Sequence, residues 1–141
     1  MTDGKTTITI QATVNAPVEK VWRVWTNPEE IILWSSPSPE WYTPRASHDL
    51  RPGGQFLYRM EARDGSFGFD FGGTFDEIKP NQVLNYTIGD GRKVKTTFKE
   101  NGGKTEIVQT FEAETENSIE QQRTGWQAIL DNFRKYVESH S

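Results

Sequence analysis

The chain has 141 residues, a length that suits one domain with one core, and we expect a single domain over residues 1–141. Its formal net charge of −4 argues against a nucleic-acid partner, because nucleic-acid binding needs a strongly basic surface. The absence of cysteine excludes disulfides, thiol nucleophiles and zinc–cysteine sites. One basic cluster does occur, and it consists of Arg92, Lys93, Lys95 and Lys99. The lysines fall on alternating positions, so we interpret them as one solvated strand face.

The first residues and the distribution of apolar residues indicate where in the cell the protein is expected. Met1–Lys5 contain no apolar segment, and no stretch of about 18 consecutive apolar residues occurs anywhere in the chain. We therefore expect neither a signal peptide nor a membrane span, and the cytoplasm is the expected compartment.

A strand and a short helix are predicted first. Apolar side chains alternate with threonine and glutamine from Thr7 to Val14, which is typical of a half-buried strand. Pro17 is predicted to be the first residue of a helix, where its missing N–H is tolerated. The apolar positions of this helix recur with helical spacing at Val18, Val21, Trp22 and Trp25.

A second short helix should follow at once. Asn27 is the predicted N-cap and Glu30 the residue that reaches back to it, which together form a capping box. The helix is expected to end at about Trp34, since prolines that predict a loop come next, at Pro37, Pro39 and Pro44.

From Arg45 to Glu112 the sequence predicts a meander of strands. Turn signals lie at Arg51–Gly54, Asp64–Gly65, Lys79–Asn81, Asp90–Gly91 and Asn101–Gly103. The residues predicted to share the inner face are Phe56, Tyr58 and Met60; Phe67, Phe69 and Phe71; Leu84, Tyr86 and Ile88; Val94, Thr96 and Phe98; and Ile107, Gln109 and Phe111. Consecutive strands joined by turns form an antiparallel sheet with one apolar face.

A long final helix completes the predicted fold. Ser118 and Gln121 form a second capping box. The apolar stripe of this helix consists of Ile119, Trp126, Ile129, Leu130, Phe133 and Val137. Helices that cover one face of an antiparallel sheet make an α+β fold, here with about six to seven strands and two short helices after the first strand.

Several segments, taken in order, resemble a known family. These segments are Ala16–Trp22, Thr26–Glu29, Asp49–Phe56, Gly73–Pro80 and Gly125–Leu130. They are similar to the homologues of the activator of the heat-shock-protein ATPase, which belong to the START-like, polyketide-cyclase-like (SRPBCC) helix-grip superfamily. The resemblance extends from about Ile8 to Val137 and implies a curved sheet that grips the C-terminal helix, with a cavity between them. Superfamily members bind lipids, sterols, polyketides or plant hormones, and some are cyclases or aromatases.

The inner faces supply the candidate ligand-binding residues. The aromatic candidates are Phe56, Tyr58, Phe69, Phe71, Phe75, Tyr86, Trp126 and Phe133, with Leu130 beside them. Apolar walls with few polar groups suit a ligand pocket, whereas a solid core packed with rings is the alternative. Polar anchors are predicted at His48, Thr96 and Gln109, unless neighbouring strands satisfy their hydrogen bonds. Gly125, in the middle of the final helix, indicates either close packing on the sheet or room for a ligand.

Motifs for catalysis and metal binding are missing. The sequence has no Gly-x-Ser-x-Gly elbow and no His-Glu-x-x-His, and its only histidines are His48 and His140. Asp76 and Glu77 are adjacent on a predicted strand, so they should point to opposite faces and could not act on one reacting atom. We therefore expect no metal, no cofactor and no dedicated catalytic residue.

Three functions remain open. The favoured function is the binding of a small hydrophobic or aromatic metabolite, lipid-like or polyketide-like, in the cavity. The first alternative is a cyclase or aromatase, for which His48, Tyr58 and Tyr86 are the acid–base candidates. The second alternative is a co-chaperone that docks on a heat-shock ATPase, which the family resemblance alone implies.

Overall fold

The computed structural model describes residues 6–35, 39–115 and 117–139. Its elements are β1 (Thr7–Val14), α1 (Val18–Thr26), α2 (Pro28–Trp34), β2 (Trp41–His48), β3 (Gln55–Ala62), β4 (Gly68–Lys79), β5 (Val83–Ile88), β6 (Lys93–Asn101), β7 (Lys104–Glu112) and α3 (Ile119–Ser139). The predicted order of strand, two helices, strands β2–β7 and a final helix is confirmed. Pro37, of the predicted loop, and His140 lie outside the described residues.

The strands form one curved antiparallel sheet. It has seven strands in the order β1-β7-β6-β5-β4-β3-β2, which makes β1 and β2 its edges. The 21-residue helix α3 lies across the inner face, where Leu130, Phe133 and Val137 are buried against strand residues such as Ile107 and Phe111. The predicted α+β helix-grip fold is therefore confirmed. Among the described helices, none is both long and apolar enough to cross a membrane.

Local capping sets the ends of the helices. Ser118 Oγ accepts from the Gln121 backbone N–H, and the Gln121 side chain accepts in return from the Ser118 N–H, each at 3.1 Å. Asn27 accepts from the Glu29 N–H at 3.1 Å, as expected of an N-cap, while the Glu30 carboxylate meets the side-chain amide of Asn27 rather than its backbone. Both capping residues are thus confirmed.

Pro17 and Pro44 do not have the positions that the sequence predicts. Pro17 is the N-cap of α1, with the helix beginning at Val18. Pro44 was expected in a loop but lies within β2, where the pairing with β3 shifts register between Tyr42 and Arg45. An edge strand tolerates proline at such an irregularity, because the missing N–H removes no necessary ladder bond.

A second register shift corrects the prediction for Asp76 and Glu77. On β4, Phe75 pairs with Tyr86 and Glu77 pairs with Asn85, so that Asp76 is an extra residue in the strand. The Thr87 hydroxyl donates to Asp76 at 2.6 Å, and the Asn85 amide donates to Glu77 at 3.2 Å. Since both partners lie on the outer face of β5, the bulge places both carboxylates on one face rather than on two.

Three apolar positions predicted to face inward are exposed, and one of them is Phe69 on β4, which is 39% exposed. Ile119, at the start of α3, is 37% exposed, and Phe67 precedes β4 and is 61% exposed. The buried residue of the first turns of α3 is instead Gln122. Its side chain accepts from the Glu114 N–H at 2.9 Å and donates to the Glu114 carbonyl at 3.1 Å, which closes the loop before the helix.

Candidate functional site: a cavity beneath the C-terminal helix

A cavity of about 260 Å³ lies between α3 and the inner face of the sheet. It is lined by Trp25, Ile31, Trp34, Ser35, Tyr58, Met60, Phe69, Phe71, Tyr86, Arg92, Gln109, Trp126, Ile129 and Leu130. An apolar cavity of ~150 Å³ in another protein holds a benzene molecule, whereas drug-sized ligands need ~300 Å³ or more. This space therefore suits a two-ring or medium-chain molecule.

Larger depressions exist on the outer surface, but they are shallow. One of about 460 Å³ lies between the start of α2 and strands β2 to β4, and one of about 580 Å³ lies along β3 and β4. Both include Leu57, which is 48% exposed and belongs to the solvent face. Only a site that removes most of a ligand from water suits a hydrophobic molecule, so the cavity beneath α3 is the candidate.

Many of the sequence-predicted site residues meet at this cavity. Those in its wall are Tyr58, Phe69, Phe71, Tyr86, Gln109, Trp126 and Leu130. The alternation along each strand and the helical stripe of α3 were enough to find them. Trp126 is further fixed by stacking on Phe111, with ring centroids 4.0 Å apart. That these residues contact a ligand stays a prediction.

The other predicted residues lie behind the wall. They are His48, Phe56, Phe75, Thr96 and Phe133. Phe56 packs on the rings of Phe75 and Tyr86, with centroids 5.2 and 5.0 Å away. Thr96 accepts a hydrogen bond from Gln109 at 3.0 Å. These residues hold lining residues in place, and their geometry gives no support for direct contact with a ligand.

Part of the wall was not predicted. It comes from the short helices α1 and α2, through Trp25, Ile31, Trp34 and the adjoining Ser35. Trp25 lies on the predicted apolar stripe of α1, so the signal was present, but nothing local shows that these helices close one side of the cavity. Met60 and Ile129 follow the same periodicity as their predicted neighbours and could have been included.

Tyr58 is oriented by a residue behind it. Its hydroxyl lies 2.9 Å from His48 Nδ1, and the backbone carbonyl of Thr26 favours an N–H on the other side of the His48 ring. A carbonyl accepts only from an N–H, so we assign the ring proton to the nitrogen facing Thr26, and Tyr58 then donates to Nδ1. The lone pairs of the Tyr58 oxygen thereby remain available as acceptors.

Burial keeps the polar groups of this region neutral. It lowers the pKa of His48 below the ordinary 6.5, an effect that the Thr26 carbonyl and the Asp49 carboxylate only partly offset. It also raises the pKa of Tyr58, to which the nearby Tyr86 contributes, and the pKa of Tyr86. At neutral pH the cavity wall therefore holds protonated phenols rather than phenolates.

The pKa of His48 predicts a pH dependence of stability. Between the lowered folded-state pKa and 6.5, the folded protein binds fewer protons than the unfolded chain. The stabilisation that neutral His48 contributes is therefore complete above pH 6.5, and it is lost as the pH falls through the folded-state pKa of His48. We expect the unfolding free energy to decrease between about pH 7 and pH 5, and to decrease less in His48→Gln. Urea denaturation across this range measures both, and identical slopes in the two proteins would contradict the assignment.

Tyr86 presents an unused hydroxyl to the cavity. Its side chain is 9% exposed, and among the described residues its hydroxyl has no hydrogen-bond partner. Other polar groups of the wall have other partners: Gln109 donates to Thr96, Ser35 Oγ lies 2.8 Å from Thr43 Oγ1, and the Tyr58 hydroxyl bonds His48. The Tyr86 hydroxyl is therefore free to donate a hydrogen bond to an acceptor on a ligand.

Arg92 brings the only charge to the wall that the structure describes. Lys93, Lys95 and Lys99 are exposed, which confirms their interpretation as a solvent face. Arg92 instead lines the cavity with its side chain 22% exposed, and its Nε donates to Asp90 at 2.8 Å. Within the described ranges, no group of three or more histidine, aspartate or glutamate side chains is placed to hold a metal ion.

Known proteins resemble the chain in sequence and in structure. Residues 15–138 match the family model described as activator of Hsp90 ATPase homolog 1-like protein. The solution structure of an AHSA1-like protein from Aeromonas hydrophila is 42% identical, with a TM-score of 0.89 over 95% of this chain and 93% of that one. A solution structure from Cytophaga hutchinsonii is 49% identical, with a TM-score of 0.82 over 94% and 92%. No curated protein sequence matches the chain.

Proposed function

Because the chain belongs to the family of activator of Hsp90 ATPase homolog 1-like proteins and has its START-like fold, we propose that it binds a small hydrophobic or aromatic molecule beneath α3. The observation that carries this proposal is the cavity of about 260 Å³ with mostly apolar walls. A protein interior is normally packed to crystal-like density, whereas this space, which is partly open to solvent, separates α3 from the inner face of the sheet.

The wall suits binding better than catalysis. Tyr58 holds its proton with a raised pKa and donates it to His48, which lies behind the wall and cannot reach a ligand directly. A general base must lie within hydrogen-bond reach of the proton that it removes. The described part of the cavity surface therefore offers no base for the cyclase or aromatase alternative. The co-chaperone alternative rests on the family name alone.

A cavity-filling substitution tests the proposal. Ile129 lies on α3 in the cavity wall, and Ile129→Trp adds a ring to the space that a ligand would occupy. We expect the wild-type protein to bind 2-naphthalenemethanol and decanol saturably, and the variant to bind each at least about ten-fold more weakly, a loss of ~1.4 kcal/mol. Backbone amide chemical shifts during titration measure affinity and location together.

The matched control is Ile119→Trp, the same substitution on the same helix at an exposed position. It should leave both affinities unchanged. If the two variants bind equally well, or if the shifted amides lie on the outer face near Leu57 rather than on α3, the proposed site is wrong.

A further inference from the structure

We infer that the ligand of this cavity carries an acidic group, a carboxylate or similar oxyanion, which Arg92 and Tyr86 bind while the apolar part lies against the aromatic wall. The inference rests on the proposed function and specifies the ligand class. Among the described residues that line the cavity, none carries a carboxylate and Arg92 is the only charged one. The described wall is therefore electropositive at one point and neutral elsewhere.

The hydrogen bonds of Arg92 leave donors unused. Nε donates to Asp90, which is half exposed, and Nη1 reaches the Glu112 carbonyl at 3.4 Å, close to the upper limit for a hydrogen bond. A guanidinium has five N–H donors in a planar fork. Both N–H groups of Nη2 thus have no partner within the described ranges, although the side chain is mostly buried. A guanidinium binds a carboxylate best through two parallel hydrogen bonds.

Tyr86 is the second and independent observation. Val94 pairs with Tyr86 across β5 and β6, and Arg92 precedes Val94 by two residues. Residues two apart on an extended segment point to the same side, so Arg92 and Tyr86 are diagonal neighbours about 7–8 Å apart in the backbone. A carboxylate placed between them can accept from the guanidinium with both oxygens, and one of these oxygens can also accept from the unpartnered Tyr86 hydroxyl.

The remaining wall defines the rest of the ligand. Phe71 and Trp126, whose ring centroids are 6.2 Å apart, lie at the cavity with Ile129 and Leu130. Aromatic and aliphatic side chains favour a flat ring system or an alkyl chain. The volume of about 260 Å³ fits a two-ring aromatic acid or a medium-chain fatty acid with its head at Arg92.

Matched pairs of probes test the charge preference. The acids are 2-naphthoate and decanoate, and their neutral counterparts are 2-naphthalenemethanol and decanol. We expect the wild-type protein to bind each acid at least ten-fold more tightly than its alcohol at neutral pH. Arg92→Gln should remove this preference by weakening the binding of the acids at least ten-fold more than the binding of the alcohols. Tyr86→Phe should reduce the preference three-fold or more.

Lys95→Gln is the control, because it removes the same charge from the exposed face of the adjoining strand. It should preserve the preference for acids. Arg92→Lys keeps the charge but loses the planar fork of the guanidinium, so it should retain part of the preference. This variant provides the test if Arg92→Gln folds poorly. Equal affinities for acids and alcohols in the wild-type protein, or a preference that survives both Arg92 substitutions, would overturn the inference and leave the proposed function standing. Failure of all four probes to bind would overturn both.

Discussion

Gly73→Ala is expected to destabilise the protein by about 3 kcal/mol or more, at the upper end of the overpacking range. A Cβ atom at Gly73 would overlap the carbonyl oxygen of Thr87 and would lie 3.0 Å from the Ile88 Cα atom. Both contacts are with the backbone of β5, which pairs with Gly73 in the sheet. A strand cannot move aside there without breaking its ladder, so the strain has no inexpensive relief. Urea denaturation of the variant measures the loss.

Gly125→Ala is the matched control, since a Cβ atom at Gly125 meets nothing within 4 Å. Alanine in the middle of a helix is favoured over glycine by up to ~1 kcal/mol, so this variant should be as stable as the wild type or more so. Of the two interpretations of Gly125, close packing of the helix on the sheet is therefore wrong. A Gly73→Ala protein with wild-type stability would mean that β4 and β5 do not approach each other as closely as described.

The face of β4 that contains Gly73 also shows a limit of the sequence-based site prediction. Phe71 and Phe75 alternate with Gly73 on one face of β4, and simple periodicity assigns both to the cavity. In the structure Phe71 lines the cavity, whereas Phe75 packs against Phe56 and His48. Periodicity identifies the face of a strand but not which part of that face borders a cavity and which part belongs to the packed core.

The other site residues divide into those whose position follows from strand alternation and those whose position depends on the whole fold. Tyr58, Tyr86 and Gln109 were predictable because period-two alternation fixes which side they occupy. Arg92 was not, because a charged residue just before a strand gives no local signal of where its long side chain ends. Similarly, the irregularity that admits Pro44 into β2 depends on that strand being a sheet edge, which is a property of the whole topology.

Substitution of Phe133 is expected to cause the second large loss of stability, because this residue supports the cavity wall from behind. Its side chain is fully buried, and its ring contacts Trp25 and Trp34 edge-to-face with centroids 4.7 and 4.8 Å away. Both tryptophans line the cavity. We expect Phe133→Ala to lose about 3–5 kcal/mol of unfolding free energy, since truncation removes apolar burial and leaves a void behind both rings. Chemical denaturation measures this loss, and Ile119→Ala, exposed on the same helix, should change stability by less than ~0.5 kcal/mol.

The milder Phe133→Leu variant separates support from contact. If Phe133 only backs the tryptophans, the variant should lose about 1 kcal/mol or more of stability, and its affinity for 2-naphthalenemethanol should fall together with that stability, because Trp25 and Trp34 are then less firmly held. If Phe133 touches the ligand, as the sequence alone predicted, affinity should fall while stability changes little. Full stability in Phe133→Leu with a ten-fold loss of affinity would therefore place Phe133 in the wall and contradict its position behind it.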